Sequence, residues 1–281
     1  MSVPPQVQAR LKRLRHVALD LDGTLYSGQT LFPATLPFLE VLAELGIGRT
    51  FLTNNSSKST RDYVAHLLRF GIAAAEHEIY TSTQATIRFL RRNYPQVSRV
   101  FVLGTDSLCA EIGAAGFGLA KDDAADEPQA VICGFDTSLV FARLCRAAYW
   151  IKKGKLFVAT HPDRVCPTDQ PTLLVDCGSI CAALEKASGR APDAVLGKPD
   201  PGMLGGILER DHLAPDELAM AGDRLYTDME MARRVGSLGV LVLTGETTAA
   251  EAERADPPVD LVVQDLAAFG QLLRCSRPKR A

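Results

Sequence analysis

Eight short apolar runs, each closed by polar residues and followed by stretches with helical spacing, constrain this chain more than any other feature. In order they are HVALDLD, RTFLTNN, RVFVLGTD, QAVICGFD, KLFVATHPD, DAVLGKPD, ELAMAGD and LGVLVLTG. Their apolar residues are near-continuous rather than alternating, which is what a strand needs when helices cover both of its faces. Strands of that kind alternating with helices predict βαβ units and a parallel sheet, an α/β fold. Most runs end in Asp, Asn or Lys, and in open parallel sheets ligands bind at the carboxyl ends of the strands. The runs ending at Asp106, Asp136 and Asp163 read as weak repeats of one βα unit.

A chain of 281 residues exceeds one typical domain of about 100 to 200 residues and predicts two. The expected division is a core built from residues 1–80 and 194–281 and a second α/β domain, 81–193, inserted into it. Lys and Arg number 31 against 33 Asp and Glu, a formal charge of -2. That leaves no basic field, so nucleic acid is not the expected partner. The apolar stretches fall short of the ~20 residues that span a bilayer, and the N-terminal MSVPPQVQARLKRLRH is polar, so a soluble, cytoplasmic protein is expected. Seven cysteines without a CxxC pair argue against a disulfide framework or a structural zinc site and read mostly as small buried residues. His16 and the Tyr149–Trp150 pair read as packing residues, and the tail CSRPKRA as a frayed end.

Four places carry chemistry. In HVALDLDGT, Asp20 and Asp22 stand two apart, a spacing that puts both on one face of a strand, with Gly23 free to turn the chain. Two carboxylates so close repel unless a proton or a cation intervenes, and an oxygen-rich site of this kind suits Mg²⁺. The alternative is a turn at Asp22–Gly23 and a solvated strand end at Asp20. FLTNNSS ends a strand in Thr53, Asn54 and Asn55 ahead of a helical pattern, which reads as an anion site at a helix N-terminus or as an ordinary N-cap. VLGKPDP sets Lys198 after a strand, and with Pro199 following it this is no Walker A lysine. AMAGDRLYTD places Asp223 at a strand end and Asp228 at a helix start, where acids also serve as caps.

Together DxDGT, TNN, GKP and GDxxxxD, in that order and each at a strand end, resemble the four motifs of the haloacid dehalogenase (HAD) superfamily. The long insertion with ATHPDRVCPT and GSICAALEKASGRAP resembles its capped, NagD-like phosphatase branch. The resemblance implies a Rossmann-like HAD core, a parallel sheet flanked by helices, carrying an inserted α/β cap. It further implies a Mg²⁺-dependent phosphatase acting on a small phosphorylated metabolite, and Asp176 in the cap, taken as facing substrate, puts sugar or polyol phosphates ahead of nucleotides. Asp20 would attack phosphorus and form an aspartyl-phosphate, and Asp22 would serve as acid and then base. Asp20, Asp223 and the backbone carbonyl of Asp22 would hold Mg²⁺, with Asp228 in support. Thr53 and Lys198, with Asn54 and Asn55, would bind the phosphoryl group. In the cap, His161 stands where the branch carries Asn in TNPD, and Asp176 and Cys177 replace a small turn. If that turn lies over the site, His161 and Asp176 face substrate, Asp176 favouring hydroxyl-bearing leaving groups; the alternative is an exposed turn aspartate. The resemblance also makes a homodimer paired through the cap an expectation. A phosphotransferase or phosphomutase shares the same nucleophile, and a phospho-acceptor signalling domain shares the clustered acids, although Asp22 and the large insertion favour turnover.

Overall fold

The computed structural model describes residues 3–166, 168 and 171–277. All eight apolar runs form strands. In chain order β1 (His16–Asp20), β2 (Gly48–Thr53) and β3 (Ile79–Thr81) come first. Next are β4 (Arg99–Leu103), β5 (Gly118–Leu119), β6 (Ala130–Cys133), β7 (Leu156–Ala159) and β8 (Ala194–Val195), followed by β9 (Leu218–Gly222), β10 (Leu238–Val242) and β11 (Leu261–Val263). The chain divides into two compact units, one of residues 1–52, 64–80 and 204–281, the other of residues 53–63 and 81–203.

The first unit is built on a sheet ordered β11-β10-β9-β1-β2-β3. Strand β1 is buried at all five positions and pairs in parallel with β9 on one side and β2 on the other. The chain therefore leaves β1 toward one edge and later returns on its other side, a reversal that opens a crevice at the carboxyl ends of the central strands. Helices close the faces: Phe38 of the Thr35–Glu44 helix stacks on Phe269 of the Leu266–Ser276 helix with centroids 5.3 Å apart. Asp265 caps the latter helix by accepting from the Ala268 N–H at 2.9 Å. The polar N-terminal stretch forms a helix, Pro5–Arg13, because Val7 and Leu11, four apart, share one buried stripe. The tail expected to fray stays helical through Ser276, and its residues 278–281 lie outside the described ones.

The second unit carries the sheet β8-β7-β6-β4-β5, in which the three expected repeats supply the adjacent strands β4, β6 and β7. Alternate residues of each strand enter opposite cores. Phe101, Leu103, Val131 and Phe157 pack with Trp150 and Leu184, whereas Val100, Val102, Ile132 and Val158 pack with Leu90 and Leu108. Segments 53–63 and 194–203 group with this unit rather than with the first. The reason is local: Ala194 and Val195 add an edge strand against Val158 and Ala159, and Ser56 Oγ accepts the Phe135 N–H at 2.9 Å. Among the described residues no helix is long and apolar enough to cross a membrane. Phe101 is fully enclosed, so Phe101→Ala is expected to cost about 3–5 kcal/mol of stability, read as a lowered urea midpoint in equilibrium unfolding.

Candidate active site

In the first unit Asp20 closes β1 and Asp223 follows β9 directly. β1 and β9 pair in parallel with Leu19 beside Ala221, so the register brings Asp20 level with Gly222 and Asp223 one position beyond it. Asp228, in the irregular helical turn Leu225–Met229, is fully buried and completes the group: the carboxylates of Asp20, Asp223 and Asp228 offer oxygens all within 4.8 Å of one another. Three glycines make room for them. A Cβ on Gly222 would lie 2.4 Å from the Asp228 carboxylate carbon, and one on Gly23 or Gly245 would lie 2.4 or 2.1 Å from Asp223 Oδ2. Gly23 also has φ +85°, a left-handed conformation that suits only glycine here.

The polar partners leave a gap. Thr24 Oγ1 donates to Asp20 Oδ2 at 3.4 Å, the Arg224 N–H to Asp228 Oδ2 at 3.2 Å and the Glu246 N–H to Asp223 Oδ2 at 2.7 Å. Asp223 Oδ1 is buried without a hydrogen-bond donor. Burial first, then the charges of Asp20 and Asp228, raise the Asp223 carboxyl to about 7. A buried, partnerless carboxylate oxygen inside a triad of acids is what a hard cation would satisfy, so these residues fit Mg²⁺. Arg224 went unnoticed in the sequence, although its charge lies in the field of Asp223 and Asp20. Its only signal was its place after the Gly-Asp pair.

Asp22 does not share a strand face with Asp20. Strand β1 ends at Asp20, and Asp22 lies beyond it, exposed, in a turn where the Thr24 and Leu25 N–H groups bond to the Leu21 carbonyl. An isolated bridge to Tyr26 holds its backbone. His16 packs as expected, buried against Thr50 Oγ1 at 2.8 Å, and burial depresses its imidazole to about 4.

The second unit gathers Thr53, Asn54, Asn55 and Lys198. Lys198 follows β8 and is buried. Thr53 Oγ1 accepts the Asn55 N–H at 3.2 Å, while Asn55 Oδ1 accepts from the Ser57 N–H and hydroxyl at 2.9 and 2.7 Å. The Asn54 amide bonds to the Lys198 main chain and to Asp163. The two asparagine side chains expected to meet a phosphate are thus engaged in building the loop.

His161 and Asp176 also depart from expectation. His161 is 0 % and Asp176 3 % exposed, which leaves neither a face for substrate. Asp176 is the N-cap of the Cys177–Ser188 helix: its Oδ1 accepts from the Cys177 N–H at 2.6 Å and faces His161 Nε2 at 2.8 Å. A helix start in need of a cap and a histidine in need of a partner have drawn the acid inward. Burial alone would lower the imidazole, but neighbouring Cys177 and the bonded Asp176 carboxylate outweigh it and raise His161 to about 9.

A haloacid dehalogenase-like hydrolase family model matches residues 17–118, and a second, HAD-hydrolase-like model matches residues 195–269. Mouse chronophin is 36% identical over 264 residues, covering 87% of this chain and 90% of its own. The Escherichia coli ribonucleotide monophosphatase NagD is 32% identical over 232 residues, covering 83% and 88%. The crystal structure of a Mycobacterium tuberculosis glycerol phosphate phosphatase in complex with magnesium superposes with a TM-score of 0.84 at 31% identity, covering 94% of this chain and 79% of that one. The chain belongs to the haloacid dehalogenase superfamily of hydrolases, within its NagD-like branch, and its class of enzyme is the phosphatase.

The His161 imidazole and the Cys177 thiol beside it pull stability in opposite directions with pH. The folded imidazole titrates near 9 against an ordinary 6.5, so its contribution is complete below 6.5 and is lost as pH rises through about 9, whereas the Cys177 thiol is held well below its ordinary value and its contribution grows as pH rises toward that value. Asp176→Ala breaks the buried His161–Asp176 pair and is expected to cost about 3–5 kcal/mol of stability, read as a lowered calorimetric melting temperature.

Proposed function

We propose that this protein is a Mg²⁺-dependent phosphatase that hydrolyses a small-molecule phosphomonoester through an aspartyl-phosphate. The observation that carries this reading is the buried triad of Asp20, Asp223 and Asp228 at the carboxyl ends of β1 and β9, with one Asp223 oxygen left without a donor. Asp20, Asp223 and the backbone carbonyl of Asp22 would hold the ion, with the Asp228 carboxylate alongside. When bound, Mg²⁺ supplies the positive charge that lets an anionic carboxylate approach an anionic phosphoryl group.

The chain's own residues do the rest. Asp20 Oδ attacks phosphorus, the bond from phosphorus to the leaving alkoxide breaks, and the phosphoryl group is carried as an acyl phosphate. Asp22, exposed in its turn, gives a proton to the leaving oxygen. It then takes one from the water that cleaves the intermediate, so its carboxyl must cycle between neutral and charged forms while Asp20 stays ionised. The hydroxyl of Thr53 and the ammonium of Lys198 hold phosphoryl oxygens.

Glycerol phosphate and ribonucleotide monophosphates name the substrates of the two phosphatase relatives described above. Asp176 offers no support for hydroxyl-bearing leaving groups, since it faces His161 inside the fold. With that ground removed, sugar, polyol and nucleotide monoesters stand in the proposal without an order among them. Pairing of two copies through the inserted unit belongs to the same reading, and light scattering on a sizing column reads it.

The test is phosphate release from a panel of sugar, polyol and nucleotide monoesters. Release is expected to stop on chelation and return with Mg²⁺. Asp20→Asn is expected to abolish it and Asp22→Asn to lower kcat about 10²–10⁴-fold, the usual range for a lost general acid and base. A stable acyl phosphate on Asp20 with no ester turned over would instead identify a phospho-acceptor domain.

A further inference from the structure

Asn54 carries a pattern that the reaction scheme above does not use. The residue is buried, and its side-chain amide is spent on one neighbour's main chain. Asn54 Oδ1 accepts the Lys198 N–H at 2.6 Å, and Asn54 Nδ2 donates to the Lys198 carbonyl at 3.1 Å. A single amide thus engages both main-chain polar groups of Lys198, as a residue of a neighbouring strand would. The same Nδ2 donates to Asp163 Oδ2 at 3.1 Å. A carboxylate only accepts, so Asp163 selects the amide orientation with nitrogen toward itself, which turns the oxygen to the Lys198 N–H.

The surroundings are shaped for this grip. Gly197 has φ +72°, and a Cβ there would lie 2.8 Å from Asn54 Oδ1 and 2.6 Å from His161 Cβ. The Asn54 carbonyl in turn accepts from Ser82 Oγ, which fixes the backbone that bears the amide. Lys198 is buried, so its four-carbon stem is packed and cannot freely absorb a shift of its Cα, and a displacement of ~1 Å costs about 10²-fold in rate.

We infer that Asn54 is a positioning residue for Lys198 and that Asp163 orients the Asn54 amide, an inference that rests on Lys198 holding the phosphoryl group. Asn54 acts through Lys198 and not on substrate, and Asp163, in the loop after β7, contributes to the reaction only through this chain of bonds.

A double-mutant cycle tests it, because a residue that acts only through another loses its effect when the other is gone. The four proteins are the native chain, Asn54→Ala, Lys198→Met and the double variant. Each is measured for kcat/KM on 4-nitrophenyl phosphate with Mg²⁺ and, so that the cycle closes where turnover is lost, for the dissociation constant of inorganic phosphate by calorimetry. Asn54→Ala alone is expected to weaken one or both by about 10- to 100-fold, and to change the Lys198→Met protein by less than about threefold. Asp163→Ala repeats the cycle if Asn54→Ala fails to fold, with a smaller loss that Asp163→Asn, which keeps an acceptor, restores. Losses that multiply overturn the inference and leave the role of Lys198 standing. A Lys198→Met protein equal to the native one overturns the role of Lys198 itself, whatever Asn54 does.

Discussion

Mutual repulsion among three buried carboxylates is the constraint on which the rest of the first unit depends. Asp20, Asp223 and Asp228 sit within 4.8 Å of one another, where burial weakens the screening that water would give. Only a rigid frame keeps such a group from splaying. The parallel pairing of β1 with β9 brings two of the acids to adjacent strand ends one register position apart, and the glycines at 23, 222 and 245 let backbone close around them. Burial first, and then the charges of Asp20 and Asp228, raise the Asp223 carboxyl. A hard cation would convert the same geometry from a liability into a binding site.

The second unit meets a different demand, the placing of a flexible lysine. Its sheet ends in the short strand β8, and Lys198, three residues past that strand, meets the grip of Asn54. Asp163, in the loop after the neighbouring strand β7, reaches the same amide. The His161–Asp176 pair then ties the loop after β7 to the start of the Cys177–Ser188 helix. Hydrogen bonds between a neutral amide and backbone give orientation at little electrostatic cost, which suits a loop that holds a buried lysine in place.

Much of this was legible in the primary structure. The eight apolar runs became strands because each is short, near-continuously apolar and closed by polar residues, as a strand covered on both faces requires, and motif order placed Asp20, Thr53, Lys198 and Asp223 at or just beyond strand ends. The misplacements share one cause. Asp22 was assigned to the face of a strand that ends at Asp20, and strand length depends on pairing partners rather than on local spacing. Asp176 read as a loop residue because nothing in VDCGS reveals that a histidine fifteen positions earlier would draw it inward. Segments 53–63 and 194–203 read as core because motif order groups them with Asp20, while their hydrogen bonds and edge pairing group them with the insertion.

By itself, the sequence determined the α/β class, the strands and which residues are proposed to carry the chemistry, because burial periodicity and residue type act over a few positions. Tertiary structure alone decided which acids meet, that the side chains of Asn54 and Asn55 serve the loop, and that His161 and Asp176 serve each other. Those outcomes depend on neighbours distant in the chain, as the 144 positions between Asn54 and Lys198 make plain. Local pattern carries no record of a partner that only folding brings near.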